Sequence, residues 1–434
     1  MIIKTVTVLG ANGTMGCNVS GIFASFGNAL VYMVCRDMDA AIEAQKRAAL
    51  SVKADSIVKN LIPKTYEDLE ECIKSSDLIF ESVFEDLEIK NSVYKKIDNY
   101  LNPHTIVCTG TSGLSINELC ENLNIISRRN YLGVHMYNPP YSMTLCEVIP
   151  SKYTDSFLLQ NIKRYLSQIL HRQVVEVKDE PAFMGNRIGF QFINQALQYA
   201  EYYQDNGGID YIDSILGPFT GRAMPPLTTS NFVGLDVHKA IVDNIYNNVF
   251  DYAHDTFVMP NYAVDLIQQN KLGRKTGAGL YKSVKNSDGT KTIYVYDIAT
   301  GAYREVEKYV FPFAKMMKKE LSLGNYDKAF QALFNNHSQE AMICIEFLIK
   351  YVIYSITITK AIGEDLHSAD TVMATGFNWV PPLSLIDAFG GVDYFKRIAV
   401  SHLSEEDLNK VNLDELLDNL PKSKYDFRPF FKAK

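Results

Sequence analysis

Two side chains in this sequence are placed for proton chemistry. Val134-His135-Met136-Tyr137-Asn138-Pro139 carries a histidine, and Thr144-Leu145-Cys146-Glu147-Val148-Ile149 carries a lone acid among apolar neighbours. An imidazole with an ordinary pKa of about 6.5 takes and returns a proton close to neutral pH. A carboxylate in an apolar stretch needs a polar partner, because burying it alone is costly. Paired with the ring, it fixes the tautomer and stabilises the charged form. Such a pair suits oxidation of an alcohol, where a base takes the hydroxyl proton as hydride leaves the carbon. The other histidines have no comparable setting.

A hydride carrier is suggested at the other end of the chemistry. Gly10-Ala11-Asn12-Gly13-Thr14-Met15-Gly16 follows a strand-like stretch and precedes a helix-like one. Glycines there let the backbone turn tightly and approach a pyrophosphate, whose charge rests on the helix N-terminus. Gly10, Asn12, Gly13, Thr14, Met15 and Gly16 are the candidate cofactor residues. The spacing is one residue longer at the turn than the usual Gly-x-Gly-x-x-Gly. The second strand ends Val34-Cys35-Arg36-Asp37. An acid at this point binds the ribose hydroxyls of NAD, and Cys35 stands in its place. Arg36 is suited to a 2′-phosphate, which leans the choice between NAD and NADP towards NADP. A one-residue change of register would let Asp37 serve the ribose instead, so both nucleotides stay open.

Residues 5–9, 29–34, 77–81 and 105–109 are short and apolar on both faces, with helical stretches such as 39–60 between them. This predicts a parallel sheet covered on both sides, a doubly wound Rossmann-type α/β domain over residues 1–180. All-α domains are predicted after it. Residues 188–204 form a long apolar-periodic segment that opens a helical domain over 181–283. Turn signals around Thr292-Ile293-Tyr294-Val295-Tyr296 predict a hairpin-like connector over 284–310. Residues 311–434 are helical again, with a charged tail. Pro225-Pro226-Leu227 and Val233-Gly234-Leu235-Asp236 resemble Pro381-Pro382-Leu383 and Phe389-Gly390-Gly391-Val392-Asp393. Each set follows an Asp-bearing segment, Ile209-Asp210 and Ala369-Asp370. The pattern predicts a tandem repeat of the helical domain.

Composition narrows the class. The chain has 434 residues and a net charge of -7, with no basic excess to suggest a nucleic-acid partner. Its seven scattered cysteines contain no CxxC pair, which argues against a disulfide framework or a metal site. They fit a reducing compartment, so a cytoplasmic location is expected. The N-terminus has no signal-peptide pattern. No apolar run is expected to reach the ~18 residues of a membrane span.

Taken together, these motifs resemble the 3-hydroxyacyl-CoA dehydrogenase family. The match rests on His135, Asn138, Pro139 and Glu147, on Thr111-Ser112 before Leu114, and on Asn186-Arg187 after Asp179-Glu180-Pro181-Ala182-Phe183. It also rests on Phe84-Glu85-Asp86-Leu87-Glu88-Ile89-Lys90 and Lys275-Thr276-Gly277-Ala278-Gly279-Leu280-Tyr281. The resemblance implies His135 as general acid and base, oriented by Glu147. It implies Ser112 and Asn186 holding the substrate oxygen and the nicotinamide, Asn138 beside the substrate, and Glu85 and Lys90 contacting the cofactor. It implies an acyl-CoA-type substrate and the long form of the family, without an enoyl-CoA hydratase module. In short members the helical domain pairs with its twin. A tandem copy covers the same face, leaving a monomer or a homodimer. Gly110 and Gly113 depart from the family's Asn and Ser. The alternatives are a reductase of a non-CoA or carrier-bound β-keto acid, and a non-catalytic nucleotide-binding protein.

Overall fold

The computed structural model describes residues 1–53 and 55–433. The chain forms two units, Met1–Phe183 with Ile362–Glu364, and Met184–Ala361 with Asp365–Lys434.

The first unit is built on eight strands: β1 (Thr5–Leu9), β2 (Leu30–Cys35), β3 (Leu61–Thr65), β4 (Leu78–Glu81), β5 (Ile106–Thr109), β6 (Tyr131–Met136), β7 (Leu145–Pro150) and β8 (Gln173–Glu176). Their order is β3-β2-β1-β4-β5-β6-β7-β8. The strand order steps outward from β1 in both directions, as a doubly wound sheet requires. β3 contains Pro63 and sits at the edge, where a missing N–H costs no ladder bond. From β3 to β6 every pairing is parallel. The predicted strands thus form the expected parallel sheet, and after β6 the chain reverses, with β7 running antiparallel to it. Residues 137–144 are too few for a crossover helix, so the chain must turn back on itself. β8 then pairs parallel to β7.

Helix α1 (Thr14–Ser25) follows β1, and α2 (Met38–Val52) follows β2. α2 buries a stripe of Ala41, Ala44 and Ala48, one helical face of small residues. A Cβ on Gly21 of α1 would lie 2.9 Å from the Ala48 carbonyl oxygen, so small residues on both helices permit their close approach. Helix α3 (Leu87–Asp98) follows β4 and buries Lys90, Tyr94 and Ile97.

The second unit is helical apart from a three-stranded antiparallel sheet, Tyr281–Lys285, Lys291–Asp297 and Ala302–Glu305. The predicted hairpin is thus two strands of three. Helix α4 (Gly185–Tyr202) opens the unit. Two segments are built alike. Asp213 accepts hydrogen bonds from the Leu227 N–H at 2.7 Å and the Thr228 N–H at 2.8 Å, at the start of α5 (Pro226–Val233). Helix α6 (Gln339–Ile362) precedes the second such segment. There Asp370 accepts from the Leu383 N–H at 2.9 Å, at the start of α7 (Pro382–Ala388). The counterpart of Asp370 is therefore Asp213 and not Asp210 as the sequence pattern suggested. Asp210 instead takes the Arg304 guanidinium at 2.7 and 2.8 Å.

By length and composition α6 could cross a bilayer, contrary to the expectation that no stretch would qualify. Among the described residues it is a core helix, with 78% of its most apolar window buried. Beside it, the two like-built segments meet through an antiparallel bridge between Arg222 and Trp379. Arg222 is fully buried, and its guanidinium lies 3.8 Å from the Phe192 ring centroid, 4.7 Å from Trp379 and 5.1 Å from Tyr351. Burial lowers its pKa to about 10. Nη1 donates to the Thr220 carbonyl at 3.1 Å. A cation held by ring faces replaces the usual carboxylate partner. Arg222→Ala should lower stability by about 3 kcal/mol, since it opens a cavity and removes three ring contacts. Urea unfolding measures this, and an unchanged midpoint would rule out the cage as a stabilising element.

Candidate active site

Antiparallel pairing sets His135 of β6 directly across from Glu147 of β7. The twelve-residue spacing in the sequence is thus a cross-strand register. His135 is 4% exposed and Glu147 fully buried. Glu147 Oε2 lies 2.8 Å from His135 Nδ1 and accepts the Tyr137 hydroxyl at 2.9 Å. A carboxylate can only accept, so the ring carries its hydrogen on Nδ1 and presents Nε2 as the nitrogen that exchanges a proton. The rings of Tyr137 and Phe183 pack against the imidazole, with centroids at 4.6 and 5.6 Å. Ala182 and Phe183 have φ of 60° and 54°, in the left-handed region that L residues rarely adopt. Such strain persists where the surrounding packing enforces it, and both residues are buried.

The glycine loop lies between β1 and α1. The Gly10 and Ala11 N–H groups donate to the Val34 carbonyl of β2 at 3.1 and 3.3 Å. Gly10 has φ of 75°, and a Cβ there would lie 2.6 Å from the Ser82 carbonyl oxygen. A Cβ on Gly16 would lie 2.4 Å from the Gly10 carbonyl oxygen. Both positions therefore exclude any larger residue. Gly13 is the N-cap of α1, and the first turn holds no acid. The N–H groups of Thr14, Met15 and Gly16 fall in the turn that lacks intrahelical partners. This cradle, with glycines at 10, 13 and 16 and positive at the helix end, fits a nucleotide pyrophosphate.

At the end of β2, Cys35 is buried while Arg36 and Asp37 are exposed. Burial pushes the Cys35 thiol up to about 11, against the Asn12 N–H that pulls it down. The Asp37 carboxylate is the N-cap of α2, accepting the Ala40 N–H at 2.8 Å. That capping bond, and not a strand register, occupies one of its oxygens.

A buried network joins the loops after β4 and β5. Glu81 is fully buried at the end of β4. It accepts from Lys90 Nζ and the Val83 N–H at 2.7 Å, and from the Tyr94 and Thr109 hydroxyls at 2.8 Å. Lys90, expected from the resemblance to contact the cofactor, is only 1% exposed and engages Glu81. Its second partner is Glu85 Oε2 at 3.3 Å, so it positions Glu85 from below. Glu85 Oε1 accepts the Thr111 hydroxyl and, at 2.8 Å, the Ser112 N–H. Ser112 is half-buried on this loop, and the next helix is capped by Ser115 instead. Gly110 departs from the family pattern for a steric reason, since a Cβ there would lie 2.9 Å from the Phe80 ring.

Asn138 is exposed, and its Oδ1 accepts Asn18 Nδ2 of α1 at 3.1 Å. Asn186 is 6% exposed in the first turn of α4, in the second unit. The first unit carries His135, Glu147, Ser112, Asn138, Glu85 and the glycine loop, pairing His135 with Glu147 and Ser112 with Glu85, and Asn186 belongs to the second unit. Sequence reasoning missed Tyr137, Phe183, Glu81 and Tyr94. Tyr137 lies two residues beyond His135, just past the end of β6, where the strand period of two would place it on the same side. The Lys90, Tyr94, Ile97 spacing is a buried helical stripe that could have been read. Among the described residues no group of three or more His, Cys, Asp or Glu side chains could hold a metal ion.

Comparison with known proteins adds a second line. The family model of the 3-hydroxyacyl-CoA dehydrogenase NAD binding domain matches residues 5–180, and that of the C-terminal domain matches 183–283. A human protein named "Hydroxyacyl-coenzyme A dehydrogenase, mitochondrial" is 30% identical over 298 residues, covering 65% of this chain and 92% of that protein. A Bacillus subtilis protein named "Probable 3-hydroxyacyl-CoA dehydrogenase" is 30% identical over 332 residues, which is 76% of this chain. The match spans only 41% of the length of that bacterial protein. The crystal structure of 3-hydroxybutyryl-CoA dehydrogenase from Escherichia coli K12 superposes with a TM-score of 0.68 over 94% of this chain and 96% of that one. At 20% identity this last likeness is one of fold.

Lys90→Met should cost about 3–5 kcal/mol in urea unfolding, because it leaves Glu81 buried without its counter-charge. The double variant Lys90→Met with Glu81→Gln should recover part of that loss. A double variant less stable than the single one would refute the ion-pair account.

Proposed function

This chain belongs to the 3-hydroxyacyl-CoA dehydrogenase family, and on that premise we propose that it interconverts a 3-hydroxyacyl-CoA and a 3-oxoacyl-CoA with NAD(P). The observation that carries the proposal is the His135 Nδ1–Glu147 Oε2 contact of 2.8 Å within a buried strand pair. When bound, the nicotinamide accepts or supplies the hydride. His135 takes the substrate hydroxyl proton at Nε2 during oxidation and returns it to the carbonyl oxygen during reduction. Glu147 holds the ring in one tautomer and stabilises its charged form, with the Tyr137 hydroxyl fixing the carboxylate. Ser112 and Asn186 hold the substrate oxygen and the nicotinamide, and Glu85 contacts the cofactor from its seat on Lys90. Asn138 lies beside the substrate. Gly10, Asn12, Gly13, Thr14, Met15 and Gly16 hold the pyrophosphate.

The nucleotide is NADP in this proposal. Its support is an exposed Arg36 beside a Cys35 that offers no carboxylate to the ribose, with Asp37 engaged as a helix cap. A tandem helical repeat over 181–283 and 311–434 is also proposed, supported by the matching Asp213 and Asp370 caps. A cytoplasmic setting is proposed on the seven buried free thiols.

Fluorescence titration with NADH and NADPH, followed by turnover of acetoacetyl-CoA, tests the proposal. Binding of neither nucleotide would sink it. His135→Ala should lower kcat by about 10²–10⁴-fold with nucleotide affinity kept, as loss of a general acid–base does. Turnover at the native rate in that variant would remove His135 from the mechanism. Arg36→Asp should move preference towards NADH, and an unmoved preference would refute the NADP assignment.

A further inference from the structure

A second cation stands beside the glycine loop. Arg47 lies on α2, about two and a half turns beyond its start, yet its side chain reaches the glycine loop. Its Nη2 donates to the Asn12 carbonyl oxygen at 2.6 Å. In a doubly wound sheet the adenosine ribose is bound at the end of β2, beside this loop. Arg36 directly follows β2, so two arginines belong to this corner of the fold. Both are exposed, and among the described residues neither is in an ion pair with a carboxylate. Glu43, one turn before Arg47 on the same helix, forms no ion pair with it. Asp37, the acid that would repel an incoming phosphate, has an oxygen committed to the Ala40 N–H.

A carbonyl oxygen needs only one donor. A guanidinium offers five, with a permanent charge, in a fork that matches phosphate. Arg47 donates to the loop through one nitrogen, Nη2, and its fork has further donors to offer a phosphate. The charge of Arg47 is also felt at the Cys35 thiol, at the end of β2 itself.

We propose that Arg47 is a specificity-determining residue that closes with Arg36 on a phosphate monoester carried by an adenosine ribose. The proposal rests on the glycine-loop corner as the nucleotide site. Two sources share this chemistry, the 2′-phosphate of NADP and the 3′-phosphate of a coenzyme A carrier.

Calorimetric titration of the full chain with ADP, adenosine 2′,5′-bisphosphate and adenosine 3′,5′-bisphosphate separates them. Arg47→Gln keeps a donor for the Asn12 carbonyl and removes the charge, while Arg47→Lys keeps both. The native chain should favour the 2′-phosphorylated probe over ADP. Arg47→Gln should lose about 10-fold of that preference, the scale of one charge-assisted hydrogen bond, with ADP affinity retained. Arg47→Lys should keep most of it. Selective loss for the 3′-phosphorylated probe would support Arg47 as a ribose-phosphate ligand and overturn the NADP assignment. An equal loss for all three probes, or an unchanged preference in Arg47→Gln, would make Arg47 a loop anchor and overturn the proposal. A native chain with no preference for either bisphosphate would overturn it too, while NADH binding would leave the dehydrogenase proposal standing.

Discussion

The reversal of chain direction between β6 and β7 is the constraint on which the site depends. In antiparallel pairing two residues face each other across the ladder, and here they are His135 and Glu147. Side chains alternate between sheet faces with a period of two. A slip of one residue would carry Glu147 to the opposite face and leave a buried carboxylate without its ring. The cost of that orphaned charge holds the register firmly, and the register holds the tautomer. The Tyr137 hydroxyl adds a second donor to the same oxygen, and the rings of Tyr137 and Phe183 limit how the imidazole can tilt.

The parallel part of the sheet serves the other partner of the reaction. β1, β2 and β4 end side by side, so the glycine loop, Cys35 and Glu81 gather at one edge. Glu81 links this edge to the next loop through Lys90, Glu85 and Ser112. Both charges of the Glu81–Lys90 pair are out of water, where an ion pair is expensive to form and more expensive to break. Its use here is positional. Hydroxyls of Tyr94 and Thr109 satisfy the remaining lone pairs, so the network is closed and the loop after β5 is tied to the one after β4.

In the second unit the same physics is met in another form. Asp213 and Asp370 each satisfy the free N–H groups at the start of a Pro-opened helix, where the backbone has no partners of its own. Arg222, between the two segments, has aromatic faces where a carboxylate would ordinarily stand. Helix α6 is apolar on nearly every side because it is surrounded, which also explains why its composition alone resembles a membrane span.

Local signals in the sequence determined the glycine loop, the first strands, the onset of the helical region and the candidate pair of His135 and Glu147. Each rests on short-range chemistry: turn residues, apolar periodicity, or an acid isolated among apolar neighbours. Tertiary structure decided what those signals could not carry. The direction of β7 depends on a connection too short for a helix. Burial of Lys90 depends on which face of α3 meets the sheet, and the match of Asp370 with Asp213 depends on which N–H groups each carboxylate reaches. The reach of Arg47 to the Asn12 carbonyl joins residues 35 positions apart. These are long-range pairings, and no local pattern encodes which distant partner a buried charge or a free backbone group will find.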